Sequence, residues 1–151
     1  MITLETKLQQ LSTVFTSVPF NHLLGLVLDH IDVNNVTMSF KMKNELIGNF
    51  LHGILHGGVI SSVLDMAGGM VTMANAIQHY PNHSMEELGD LIGKTSTVDL
   101  QISYLRPGKG EVFIAKAWIV KAGKKITFAR MELYNQDETL IASGSGTYLL
   151  S

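Results

Sequence analysis

The sequence predicts an α+β fold in which an antiparallel β-sheet wraps around one long central α-helix, and three observations carry that reading. A stretch of 19 residues, VISSVLDMAGGMVTMANAI (59–77), is apolar on nearly every helical face, with Asp65 as its only charge. A helix of that kind cannot lie on a surface, so something must cover it. Six other runs are alternating or mostly apolar and rich in strand-forming residues, and they are the plentiful covering material. The turns between the last four are short enough for hairpins, which gives the order β-β-α-β-β-β-β.

The elements follow in chain order. Leu4, Leu8, Leu11 and Phe15 recur at helical spacing behind Thr3, a candidate N-cap, with Glu5 in the first turn. An amphipathic lead helix is therefore expected over about 3–18. The apolar run 24–31 and the segment NVTMSFKM (35–42) form a hairpin turned at 32–35, since Val36, Met38, Phe40 and Met42 alternate with Thr37, Ser39 and Lys41. A glycine-punctuated loop, ELIGNFLHGILHGG, leads into the apolar helix, which Pro81 ends after Tyr80. Ser84 and Glu87 make a capping-box pattern, so a short inserted helix is expected over about 85–92. Strands are expected at 98–105, 111–121, 125–135 and 139–150, between turns at PGKG, AGK and NQDE. No repeat or linker divides the chain, and 1–151 reads as a single domain.

Eleven Lys plus Arg against thirteen Asp plus Glu give a formal charge of −2 without a run of either sign, which speaks against a nucleic-acid or membrane-surface partner. With no cysteine, a disulfide framework, a thiolate zinc site and a cysteine nucleophile are excluded. The N-terminus lacks a basic stretch followed by an apolar one and a cleavage site, so a cytoplasmic enzyme is expected. Residues 59–77 are long enough to span a bilayer. No Lys or Arg flanks them closely, and Ser61, Ser62, Asp65, Thr72 and Asn75 interrupt them. A buried helix is expected instead.

The strongest chemical signal is LHGGVISSVLD (55–65), where Gly57 and Gly58 open the helix and one carboxylate follows. Amides at a helix N-terminus attract developing negative charge, and without side chains a substrate carbonyl can approach them as an oxyanion hole. The same glycines would also serve tight backbone packing. Asp65 is the only ionisable residue between His56 and His79. Burying a lone carboxylate is costly unless it is partnered or used, and apolar surroundings are expected to make it the stronger proton acceptor that a general base must be. His52 and His56 stand four apart, but Gly53 and Gly57 break helix there and no third ligand is evident, so no metal site is expected. His56 is read as holding the loop or polarising a substrate carbonyl. Ser61 and Ser62 lack a nucleophile-elbow context, and Ser143–Gly146 lacks the strand-to-helix context of a dinucleotide site, reading instead as a strand that allows close approach. Lys109, Lys121, Lys124 and Lys125, near Arg106, singly suit solvated turns and together suit a phosphate-bearing carrier such as coenzyme A.

Over about residues 20–150 the whole pattern resembles the phenylacetic-acid-degradation branch of the hotdog thioesterases. The family's HGG-x6-D motif stands here as His56, Gly57, Gly58 and Asp65, and its later strand signature as TVDLQISYLRP (97–107). The resemblance implies a hotdog fold that hydrolyses acyl-CoA without a cofactor. It implies that Asp65 activates water or attacks the thioester, that the Gly57 amide binds the thioester oxygen with Gly58 beside the substrate, and that Thr97 orients the water. It also implies carrier contacts at Tyr104, Lys121 and Lys124. The family's asparagine, six residues before the motif's histidine, is replaced by Phe50, and Asn49 is expected to substitute through a loop shift. Hotdog hydratases pair Asp with His as D-x4-H, whereas Met70 stands five residues past Asp65 and so favours hydrolysis. A non-catalytic acyl-CoA-binding protein would have no need of Asp65 and Thr97. Medium, long or aryl acyl groups are expected, with Met66, Gly68, Gly69 and Met70 lining their groove. Gly57 and Asp65 are eight residues, hence about 12 Å, apart on one helix, too far for one thioester to meet both. A homodimer that brings Gly57 of one chain to Asp65 of the other is therefore expected, and the resemblance doubles it into a dimer of dimers.

Overall fold

The computed structural model describes residues 2–150. The chain runs through helices α1 (Leu4–Ser17) and α2 (Pro19–Leu24), strands β1 (Val27–Ile31) and β2 (Asn35–Lys41), and a 3-10 turn (Asn44–Leu46). Two short strands, β3 (Ile47–Asn49) and β4 (Ile54–Leu55), precede α3 (Gly57–Ile77) and α4 (Met85–Gly93). The last four strands are β5 (Ser96–Tyr104), β6 (Val112–Ala122), β7 (Ile126–Asn135) and β8 (Leu140–Leu149). Six strands form one antiparallel sheet in the order β1-β2-β6-β7-β8-β5, curled around α3 in the hotdog arrangement.

The covering of α3 explains its composition. Thirteen of its 21 residues are buried, so a run that is long and apolar enough to cross a membrane is here the core helix of a sheet. Every second residue of the facing strands meets it, as the pleat requires: Val36, Met38 and Phe40 on β2, Phe113, Ala115 and Ala117 on β6, Ala129, Met131 and Leu133 on β7. The lead helix forms with Thr3 as its N-cap, and α4 closes its start with the reciprocal Ser84–Glu87 capping box. Asp32 turns the first hairpin by accepting from the Asn34 and Asn35 amides at 2.8 and 2.7 Å.

Four expectations need correction. The apolar run 24–31 is divided: Pro19 starts the short helix α2, which ends at Leu24, and the strand begins only at Val27. The glycine-punctuated loop contains the β3–β4 hairpin, with a one-residue register shift between Ile47 and Asn49. Helix α3 stops at Ile77 rather than Tyr80, because the chain tightens there into a turn in which the His79 and Tyr80 amides bond three residues back, to Ala76 and Ile77, at 3.1 Å each, and just beyond it the buried Lys7 ammonium donates to the Tyr80 and Pro81 carbonyls at 3.0 Å. Strand β5 is bulged. Thr97 pairs with Tyr148 and Asp99 with Thr147, so Thr97 comes onto the same face as Leu100, Ile102 and Tyr104, toward α3.

The last strand does allow close approach. The Tyr148 ring folds over Gly146, where a Cβ would lie 2.7 Å from it, and its hydroxyl reaches Gly68, where a Cβ would lie 2.2 Å away. Gly68 therefore makes room for Tyr148 and does not line an open groove, and Met70 is buried in the core. We expect Gly68→Ala to lower stability by about 1–3 kcal/mol through overpacking, outweighing the gain of about 1 kcal/mol in helix propensity. Urea unfolding checks this, and equal or higher stability would contradict the packing described.

Candidate active site

The sheet leaves one strip of α3 open, and Ser61, Ser62, Asp65, Met66 and Met73 lie partly exposed along it. Both serine hydroxyls bond back to the Gly58 carbonyl, at 3.2 and 2.6 Å, and so serve the helix. Asp65 is neither fully buried nor alone, contrary to the isolated carboxylate expected from sequence. Thr97 Oγ1 donates to Asp65 Oδ1 at 2.9 Å, and the Tyr148 hydroxyl donates to the same oxygen at 3.2 Å and to the Asp65 carbonyl at 3.1 Å. Among the described residues Asp65 Oδ2 has no hydrogen-bond partner. The bulge in β5 is what aims Thr97 at this carboxylate.

Tyr148 was not singled out by sequence reasoning. The signal was present in GSGTYLL, where two glycines alternate with strand residues ahead of a tyrosine on the inner face. It is 1% exposed. Burial first, then the charge of Asp65 and the bond to it, push its phenol far above the ordinary range. Tyr148 is thus a permanent donor.

At the N-terminus of α3, His56 is the N-cap, and its Nδ1 accepts from the Gly58 amide at 2.7 Å. This bond leaves the ring proton on Nε2 when the imidazole is neutral. It also occupies the Gly58 N–H, so the Gly57 N–H is the first amide of the helix without a partner among the described residues. His56 is itself held, donating its backbone N–H to Leu46 at 2.8 Å, while Gly48 passes so close that a Cβ there would lie 2.5 Å from the His56 Cα. Asn49 lies just beyond the register shift of β3, and its Oδ1 accepts from the Leu51 amide at 3.1 Å at the tip that carries Phe50 and His52. Tyr104 covers Gly57 and donates its hydroxyl to the Gly57 carbonyl at 3.1 Å.

Within one chain these groups fall into two stations, Asp65 with Thr97 and Tyr148, and Gly57 with His56 and Tyr104, at opposite ends of β5. Lys121 and Lys124 join neither. Thr97, Tyr148, Thr127 and Ala122 form one transverse row, so at ~4.8 Å per strand the β6–β7 turn lies about 14 Å from Thr97. Lys121 pairs with Phe128 on the sheet face away from α3. A cavity of about 300 Å³ adjoins the Gly57 station, walled by Phe20, Leu23, Ile47, His56, Val59 and Ser62. Helix α2, which the sequence reading missed, supplies its outer side.

Residues 52–142 match the family model described as the thioesterase superfamily. The chain is 36% identical over 151 residues to the medium/long-chain acyl-CoA thioesterase YigI of Escherichia coli strain K12, covering 99% of this chain and 97% of that protein. A crystal structure from Shewanella oneidensis, described as related to the thioesterase superfamily, is similar at a TM-score of 0.93 and 38% identity, covering 98% of this chain and 97% of that one. The Escherichia coli PaaI protein from the phenylacetic acid degradation operon aligns at a TM-score of 0.80 over 99% of this chain and 96% of that one, and at 18% identity this is a likeness of fold alone.

The Tyr148 phenol gives a prediction at high pH. Its folded-state pKa lies above the unfolded value of about 10, so its contribution to stability is whole below about pH 10 and declines as the pH rises beyond. Tyrosinate absorbance should show a late step coincident with alkaline unfolding, and Tyr148→Phe should diminish it, leaving the smaller share of Tyr134, which burial and Glu132 also shift upward. Titration of Tyr148 near pH 10 in the folded protein would contradict its burial.

Proposed function

The chain belongs to the thioesterase superfamily, and from that membership we propose that it hydrolyses medium- or long-chain acyl-CoA to free acid and coenzyme A, with Asp65 acting on the thioester. The observation that carries the reading is the Asp65 carboxylate itself, one oxygen held by two hydroxyls and the other without a partner among the described residues on the open strip of the helix. Acting as a base, Oδ2 takes a proton from water as the water oxygen attacks the thioester carbon, and the proton returns to the departing coenzyme A sulfur. Acting as a nucleophile, the same oxygen would attack the carbon directly, the C–S bond breaking to release the coenzyme A thiolate, which takes up a proton from water, and a second water would hydrolyse the resulting Asp65 acyl anhydride to the free acid and restore the carboxylate. Thr97, its proton given to Oδ1, keeps lone pairs that can accept from the water. The oxyanion takes the Gly57 N–H at the positive end of α3. His56 keeps that helix end in shape, and Gly58 and Asn49 line the approach.

Gly57 and Asp65 must come from different chains, for the reason of distance given above. Strand β5 is a free edge of the sheet. With the bulge counted, Thr97 and Tyr104 lie three pairing steps on either side of Gln101. A second copy pairing antiparallel through β5 about Gln101 would put Thr97 opposite Tyr104 of the partner subunit, and Asp65 would then face Gly57 of the partner subunit. One two-fold axis would create two equivalent sites. Further pairing of dimers is a separate part of the proposal. The apolar cavity walled by Phe20, Leu23 and Val59 suits an alkyl chain. Tyr104, Lys121 and Lys124 are assigned to the carrier, the lysines meeting its phosphates at the sheet rim, and the enzyme is placed in the cytoplasm.

A panel of aliphatic and aryl acyl-CoAs, followed by free-thiol release, tests the activity. We expect medium or long chains to exceed acetyl-CoA, and Asp65→Asn to stay folded while losing at least ~10²-fold in kcat. Near-normal turnover in that variant would overturn the role of Asp65. The shared site is tested by complementation. Gly57→Pro deletes the amide at the first helical position, where proline is tolerated, and His56 already has the extended backbone that a following proline requires. Mixed with Asp65→Asn under subunit exchange, this inactive variant should restore activity to about a quarter to a half of wild type per chain pair, since half of the mixed-dimer sites are whole. No recovery despite verified exchange would rule the shared site out.

A further inference from the structure

Two hydroxyls from different strands converge on one oxygen of Asp65, and only one of them faces solvent. Thr97 is exposed on the edge strand β5, whereas Tyr148 on β8 lies behind the helix and cannot touch a substrate. We infer that Tyr148 is a positioning residue for the hydrolysis proposed above, on which this inference rests: its hydroxyl pins Asp65 Oδ1 and thereby selects Oδ2 as the reacting oxygen.

Three observations carry this. A carboxylate rotates easily about its last torsion, so the identity of the outward oxygen is undefined unless one oxygen is held. Tyr148 spans the Asp65 carbonyl at 3.1 Å and Oδ1 at 3.2 Å, and so ties the side-chain orientation to the helix backbone. The room for this contact is made at two places, Gly68 and Gly146, where any Cβ would collide with the ring or its hydroxyl. Phenylalanine would fill the same space without the bond. A tyrosine whose hydroxyl merely needed an acceptor would also use Asp65, but its loss would then affect stability alone.

The test is Tyr148→Phe, with Thr97→Val and the double variant, measured for kcat, KM and unfolding midpoint. A hydrogen bond to a charged group corresponds to about tenfold to a hundredfold in rate, so kcat should fall by about that factor with KM unchanged. The double variant should depart from the product of the two single losses, because both bonds hold the one oxygen Oδ1 and are not independent. Thr97→Ser should restore the wild-type rate. A crystal structure of Tyr148→Phe should show the Asp65 carboxylate rotated or in two orientations. A kcat within twofold of wild type, or a change in KM alone, overturns the inference while leaving the thioesterase reading intact. If the wild-type protein hydrolyses no acyl-CoA, that reading fails, and an unmoved Asp65 in the Tyr148→Phe structure overturns the pinning as well. Should Tyr148→Phe not fold, Gly68→Ala displaces the same hydroxyl and is held to the same kcat and KM outcomes.

Discussion

Helix α3 is apolar on almost every face, and that single constraint organises the molecule. Surface exposure of such a helix is unfavourable all round, so the sheet must curl and the strands must present small residues where the helix comes near. Ala115, Ala117, Ala129 and Gly146 on the inner face answer that need. Six strands still cannot close completely, because β1 and β5 remain edges. The Asp65 carboxylate sits where the closure fails, on the strip of α3 beside β5.

At that opening two kinds of polar support coexist. At the helix start, His56 satisfies one orphan amide and leaves the preceding one unpaired among the described residues, which concentrates the positive end of the helix at Gly57. Two turns later, hydroxyls from β5 and β8 surround a carboxylate that would otherwise face an apolar wall. Oppositely polarised stations on one rigid rod suit a reaction that needs a proton acceptor and an oxyanion donor, provided a second rod runs the other way.

Much of this was legible in the sequence because it depends on local pattern. The lead helix, the capping box at Ser84, the late hairpins and the glycine-opened helix with its one carboxylate follow from spacing and residue type, whereas the place of Thr97 beside Asp65 was implied by the family resemblance. What was not legible depends on contacts distant in sequence. The turn just beyond α3 is held by Lys7, more than seventy residues earlier. The aim of Thr97 is set by a bulge that alternation cannot reveal, and the burial of Asp65 was overestimated because a helix viewed alone gives no account of an open edge. Tyr148 was hidden by its ordinary place near the end of an apolar strand. Its placement depends on two glycines 78 residues apart, Gly68 and Gly146.

Strand β5 has a further consequence, for the fate of the chain in solution. Ser96–Tyr104 holds one charge, Asp99, and neither lysine nor proline, so its outer side is an uncovered row of backbone donors and acceptors over nine residues. Sheets usually guard such a border with charge, proline or irregularity, and here the bulge at Thr97 and Asp99 is the principal guard. A lone subunit, newly synthesised or diluted, therefore carries a template for adventitious strand pairing beside the Asp65 carboxylate. Selection for solubility and selection for turnover then act on the same nine residues, and a substitution there that impairs one is poorly placed to spare the other.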